Sequence, residues 1–133
     1  MSTAPQRNLV LILARDFASR LATAVVLVDA DGRLIYFNEA AERVLGRRYV
    51  EGQDLEIGGW AASFTPCDEN GTVLSLRELP IGVAIERREP AHSSFWIEVF
   101  DGKRLIEVTA FPLFATADEM VGAMAIFWEP EAG

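Results

Sequence analysis

Residues 121–128, VGAMAIFW, carry no charged side chain and alternate to no polar face. Read as a strand, the period of two sets Ala123, Ala125 and Phe127 on one face and Met124, Ile126 and Trp128 on the other. Neither face can be left in water, so the sheet that holds this strand needs cover on both sides. Residues 33–37 repeat the pattern, with Leu34 and Tyr36 against Ile35 and Phe37. A chain of 133 residues builds one core. The two covers must therefore come from its own helices, from a second copy, or from both.

Period-two segments at 24–28 and 33–37 flank Asp29-Ala30-Asp31-Gly32, whose Asp-Gly pair suits a tight hairpin. The same device joins residues 95–100 to 104–113 through Asp101-Gly102, and a looser loop at 116–120 leads to the last strand. Five strands, mostly in consecutive hairpins, imply an antiparallel sheet and an α+β fold. The middle of the chain is helical. Asn38 is a good N-cap, Ala41, Val44 and Leu45 form an apolar face, and Gly46 suits a left-handed stop. Ser75-x-x-Glu78 has the form of a capping box, but a helix begun there would hold Pro80 in its first turns, so Pro80 is read as the first helical residue. Ile81, Ala84 and Ile85 then face inward, and the helix ends before Pro90.

From Pro5 to about Leu21 the period is again helical, with Leu9, Leu13, Phe17 and Leu21 every four residues and Val10 and Ala14 beside them. Leu11 and Ile12 fall off that stripe. A helix apolar on more than one side has more than one surface to cover, either the domain and a second copy or two surfaces within one chain.

Composition sets the exclusions. Half the residues are apolar and 24% are charged, a globular balance. The formal net charge of -8 repels phosphate backbones and anionic lipid, so neither nucleic acid nor a membrane is an expected partner. Arg47-Arg48 and Arg87-Arg88 read as solvated helix ends. Cys67 is the one cysteine, which rules out an intrachain disulfide and a cysteine metal site and fits a reducing cytoplasm. The apolar run 9–14 is too short to span a bilayer.

The stretch VVLVDADGRLIYFNEAAERVLG, residues 25–46, resembles the opening of a PAS domain, in which a hairpin runs into Asn-x-Ala-Ala-x-x-x-Leu-Gly. DENGTVLSLRELPIGVAIERREP is similar to the middle segment of bacterial PAS sensors, and DGKRLIEVTAFPLF with VGAMAIFW to their last hairpin. The likeness covers residues 21–130, leaving 1–20 as an N-terminal flanking helix and 131–133 as a tail. It implies a five-stranded antiparallel sheet whose first two strands lie beside the last, with short helices across one face. It also implies a cytoplasmic sensory module that dimerises through the flanking helix and the outer sheet face. A small ligand or cofactor would sit between sheet and helices, its identity left unknown by the sequence. The effector, a kinase or a regulator, would act in trans or lie on a longer chain. Family members with a covalent effector continue past the last strand as a helix, whereas Pro130 here discourages that, which fits a stand-alone module or an excised piece.

Alternation and position place Trp60, Phe64, Leu79, Ile85, Phe95, Ile97, Val108, Ala110, Ala123, Ala125 and Phe127 at the gap between sheet and helices. Small residues opposite large aromatics fit a cavity, and equally a solid core of a ligand-free scaffold. The expected interface is Leu9, Leu13, Phe17, Leu21, Met124, Ile126 and Trp128. Flavin photoreceptors of the family carry Gly-x-Asn-Cys-Arg-Phe-Leu-Gln; Cys67 lies in Thr-Pro-Cys-Asp and reads as a free thiol in a loop. Haem-binding members use a histidine before the third strand, whereas His92 follows Pro90 in the approach to Phe95 and reads as a surface residue. With one histidine and one cysteine there is no evident nucleophile–base pair, and Glu98 and Glu107 alternate away from the gap, so no catalysis is expected.

Overall fold

The computed structural model describes residues 4–130, so residues 1–3 and the tail 131–133 lie outside the described residues. The chain runs α1 (Ala4–Ser19), β1 (Ala24–Asp29), β2 (Leu34–Phe37), α2 (Glu39–Leu45), α3 (Ile57–Ala62), a 3-10 turn (Leu76–Glu78), α4 (Pro80–Arg87), β3 (Ala91–Val99), β4 (Gly102–Thr116) and β5 (Glu119–Trp128). The strands form one antiparallel sheet in the order β2-β1-β5-β4-β3. β1 thus lies between its hairpin partner and the last strand, and the apolar β5 sits at the centre, where both faces can be covered.

Each face has its own cover. Leu11, Ala14 and Ala18 of α1, with Leu21 beyond it, pack against Val25, Leu27, Met124, Phe111 and Ile126. On the other face α2, α3 and α4 enclose the larger core around Val26, Phe37, Ala41, Ile57, Ala84, Phe95 and Phe127. The sheet-facing side of α1 is therefore Leu11, Ala14 and Ala18, not the four-residue stripe. Leu9, Ile12, Leu13 and Phe17 point outward, each more than half exposed.

Asn38 ends β2 and starts α2. Its Oδ1 accepts from the Val25 and Ala41 amides, both at 3.0 Å, and its Nδ2 donates to the Ala18 and Thr23 carbonyls, both at 2.9 Å. One buried amide therefore ties the end of α1, the α1–β1 link, β1 and the first turn of α2. The helix then closes on Gly46 in the left-handed region, as its sequence implies.

Several local expectations shift. In β2 the register slips between Leu27 and Val28, leaving Ile35 as an extra residue. Leu34 and Phe37 thereby reach the helix-covered core while Ile35 and Tyr36 face α1, in place of strict alternation. β3 starts at Ala91, so His92 lies in the strand, paired with Thr109, and not in a preceding loop. Val99 pairs with Gly102, so the two-residue turn is Phe100-Asp101, one position before the Asp-Gly pair. Thr116 pairs with Glu119, so the expected loop at 116–120 is a tight turn too. The capping box and Pro80 turn out not to compete. Ser75 and Glu78 cap the 3-10 turn, and Pro80 opens α4 separately.

The segment between α2 and α4 closes both sheet edges. At β2, the Leu34 amide donates to the Leu55 carbonyl at 2.8 Å and the Ile57 amide to the Gly32 carbonyl at 2.7 Å. At β3, Cys67 and Trp96 exchange both backbone bonds, at 2.9 and 2.8 Å, and the Glu98 amide reaches the Phe64 carbonyl at 2.7 Å. These contacts occupy backbone groups that would otherwise template another strand. They also stretch α3 across the sheet from one edge to the other, making it the roof of the core. The Cys67 thiol is free, as expected, but the residue is buried in this edge pairing and not in an open loop.

Candidate ligand pocket and its link to the first helix

Where α3 and α4 bridge the sheet, a cavity of about 80 Å³ remains. Its floor is Val26, Phe95, Ile97, Ile106, Val108, Ala125 and Phe127; its walls are Leu45, Ile57, Trp60, Ala61, Phe64, Pro66, Leu79, Pro80 and Ile81. The lining is apolar throughout. Trp60 and Ala61 are half-buried while the rest is buried, which puts the solvent side at α3.

The residues placed at this gap from sequence divide in two. Trp60, Phe64, Leu79, Phe95, Ile97, Val108, Ala125 and Phe127 line it. Ala110 and Ala123 are buried in the same core but do not reach the cavity, and Ile85 is half-buried beside that core on α4. Val26, Leu45, Ile57 and Ile106 were not anticipated. Inward alternation from β1 and β4 would have found Val26 and Ile106; Ile57 depends on the edge pairing of α3, which leaves no periodic trace in so short a helix.

Charged groups lie elsewhere. His92, Glu98 and Glu107 are on the opposite face of their strands, with His92 Nε2 3.5 Å from Glu107 Oε1 and its ring 6.0 Å from that of Trp128. Among the described residues no group of three or more His, Cys, Asp or Glu is placed to hold a metal ion.

A line of rings leads from the cavity to α1. Phe64 meets Trp60 edge-on at 5.1 Å, Trp60 lies 5.3 Å from Phe37, and Phe37 meets Tyr49 edge-on at 5.4 Å. Tyr49 in turn contacts Tyr36 at 5.2 Å, and the Arg15 guanidinium of α1 stands 4.5 Å from the Tyr36 ring centre and 5.6 Å from that of Tyr49. At the far end Arg47 covers Phe64 at 3.9 Å and donates to the Ser63 hydroxyl at 2.7 Å. Tyr49 also uses the bulge. Its hydroxyl donates to the Ile35 carbonyl and stands 3.0 Å from Glu51 Oε2, so one proton serves two acceptors.

Arg15 grips the same carboxylate, Nη2 to Oε1 at 2.5 Å and Nη1 to Oε2 at 3.2 Å. The hydrogen bond from Arg15, followed by that from Tyr49, holds the Glu51 carboxyl below its ordinary pKa. Burial, followed by the Glu51 bond, pushes the Tyr49 hydroxyl up. Arg15 is held above its ordinary value chiefly by its bond to Glu51.

The expected interface residues also separate. Leu9, Leu13 and Phe17 are exposed on the outer side of α1, and Trp128 is exposed at the end of β5. Leu21, Met124 and Ile126 pack with α1 of their own chain, Met124 being 2% exposed.

The sheet thus carries a flanking helix on one face and short helices enclosing an apolar pocket on the other. A family model described as PAS domain matches residues 15–88. The chain belongs to the PAS domain family, whose members commonly serve as sensory and signalling modules, often within sensor kinases.

Solved structures share the fold. The PAS domain of BvgS from Bordetella pertussis aligns at a TM-score of 0.61 and 15% identity, covering 90% of this chain and 84% of that one. The Rhodobacter sphaeroides LOV protein aligns at 0.66 and 19%, covering 89% and 66%. The PAS domain of nitrogen regulation protein NR(II) from Vibrio parahaemolyticus aligns at 0.59 and 14%, covering 89% and 98%. No curated protein sequence matches. Among the described residues no helix is long and apolar enough to cross a membrane.

Proposed function

We propose that this chain is a cytoplasmic sensory module that binds a small ligand in the pocket beneath α3 and passes its occupancy to α1, which packs against a second copy. The observation that carries this reading is the line of contacts from Trp60 in the pocket wall through Phe37 and Tyr49 to Arg15 on α1. A wall that moves when the pocket fills changes the surface on which Arg15 and its helix rest. The outward stripe of Leu9, Ile12, Leu13 and Phe17 supports a homodimer, since a second apolar side on a helix already docked needs a second cover. The module acts by binding and not by catalysis, a reading supported by a pocket lining that offers no nucleophile, acid or base. Its effector is a kinase or a regulator, in trans or on a longer chain.

The modest cavity, about 80 Å³, favours a second reading, an interaction scaffold with a nearly filled core. Sedimentation of the full chain beside a Leu13→Glu, Phe17→Glu variant tests the dimer. The account expects a dimer that the double variant dissociates to a folded monomer; an association state unchanged by both substitutions removes α1 from the interface. Native mass spectrometry of freshly purified protein then separates sensor from scaffold, because a retained small molecule supports the sensor alone.

A further inference from the structure

The pocket's chemistry limits what it can hold. Its floor and walls contribute four aromatic rings, Trp60, Phe64, Phe95 and Phe127, and otherwise aliphatic groups. The strand backbone behind those side chains is committed to the sheet ladder on both sides of β5 and β4. Of the polar groups along the ring line, Asn38 and the Tyr49 hydroxyl have their partners, and Arg47, which covers Phe64 from the exposed side, is bound to Ser63. A ligand carrying a carboxylate, an amide edge or a ribityl chain would leave those groups without partners on burial, which weakens binding for each neutral group and more so for a charge. The volume points the same way, being about half of the ~150 Å³ apolar cavity that holds benzene or xenon in another protein.

We propose that the pocket takes a compact, uncharged, hydrocarbon-like molecule, no larger than a single small ring, and excludes flavin and haem. This rests on the reading that the pocket holds a ligand at all. A six-membered ring fills the space with Trp60 displaced outward, since Trp60 and Ala61 form the half-buried side of the lining. Dispersion against four rings and loss of apolar surface from water supply the affinity, with no directional bond needed.

The experiment is a methyl-detected NMR titration of the full chain with benzene, phenol, FMN and haemin in parallel. Benzene is expected to shift the methyls of Ile81, Ile97 and Val108, and phenol to bind at least about tenfold more weakly, the ratio that 1.4 kcal/mol of unmet hydrogen bonding gives. FMN and haemin are expected to leave these methyls unmoved. Ala125→Leu fills the floor and is expected to abolish the benzene shifts; if that variant does not fold, the ligand series on the native chain decides by itself. Phenol, FMN or haemin binding as tightly as benzene, or benzene moving no pocket methyl up to its solubility, overturns the assignment. Benzene binding that leaves the α1 amides unmoved supports this pocket chemistry and counts against the transmission proposed above, so the two fail separately.

Discussion

Asn38 is the residue on which most of the architecture converges. Replacing it with alanine strands the Val25 and Ala41 amides and the Ala18 and Thr23 carbonyls in a buried site. The expected loss is about 2–4 kcal/mol in urea unfolding, since a cap and at least one further buried group go unsatisfied together. Gly82 works by close approach, because a Cβ there would stand 1.8 Å from the Leu76 carbonyl oxygen, a backbone atom that cannot turn aside. Gly82→Ala should cost about 2 kcal/mol or more by the same measurement, whereas Gly59→Ala, in a helix and with open space at its Cβ, should stabilise by up to about 1 kcal/mol. The cap at Asn38 was legible in the sequence because its stereochemistry is local. Its two donated bonds were not, since they reach back to carbonyls of α1 and its linker, a contact made only once the sheet has formed.

Among the elements, α1 is held by apolar contact and by one polar clasp, Arg15 on Glu51 and the two tyrosines. Glu51 has a lowered folded-state pKa, so its share of stability is present above the ordinary carboxylate value and is lost as pH falls through the lowered one. Amide exchange in residues 9–19 is therefore expected to speed up relative to that of β5 as pH falls below the ordinary carboxylate range, and Glu51→Gln is expected to speed it already at neutral pH; a ratio that this substitution leaves unchanged would show that the clasp does not hold the helix. The carboxylate is exposed, so the effect is local. The existence of β1, β4 and β5 was readable from runs rich in β-branched and aromatic residues flanked by turn residues, although the turns before β4 and β5 fall elsewhere than expected. The bulge at Ile35 was not, because Leu34, Ile35, Tyr36 and Phe37 are all apolar and an apolar run carries no mark of register. β3 was read short since Ala91, His92, Ser93 and Ser94 look like a loop, although on a strand next to the edge-covering segment their polar side chains can face water. Phe100 was read as strand for its hydrophobicity, yet it sits wholly exposed in the turn.

At the scale of the molecule, two apolar sheet faces meet two different covers. α3 and α4 make a nearly solid core with one apolar cavity, while α1 covers the other face and keeps a second apolar side outward. The apolar pattern alone puts helix and partner together on the outer face, whereas the packing assigns Met124 and Ile126 to α1 of the same chain. The pocket was legible as a face but not as a volume, because Ala110 and Ala123 are covered by neighbours while Val26 and Ile106 reach the space. What joins the halves is the ring line through Tyr49, a loop residue whose importance depends on the bulged carbonyl of Ile35. Hydrogen exchange of the full chain with and without saturating benzene reads the coupling of pocket to α1. Exchange in residues 9–19 is expected to change at least about fivefold, the low end of an allosteric coupling, and Tyr49→Leu to remove the change. Pocket methyls shifted by benzene beside α1 exchange that stays constant would contradict that coupling.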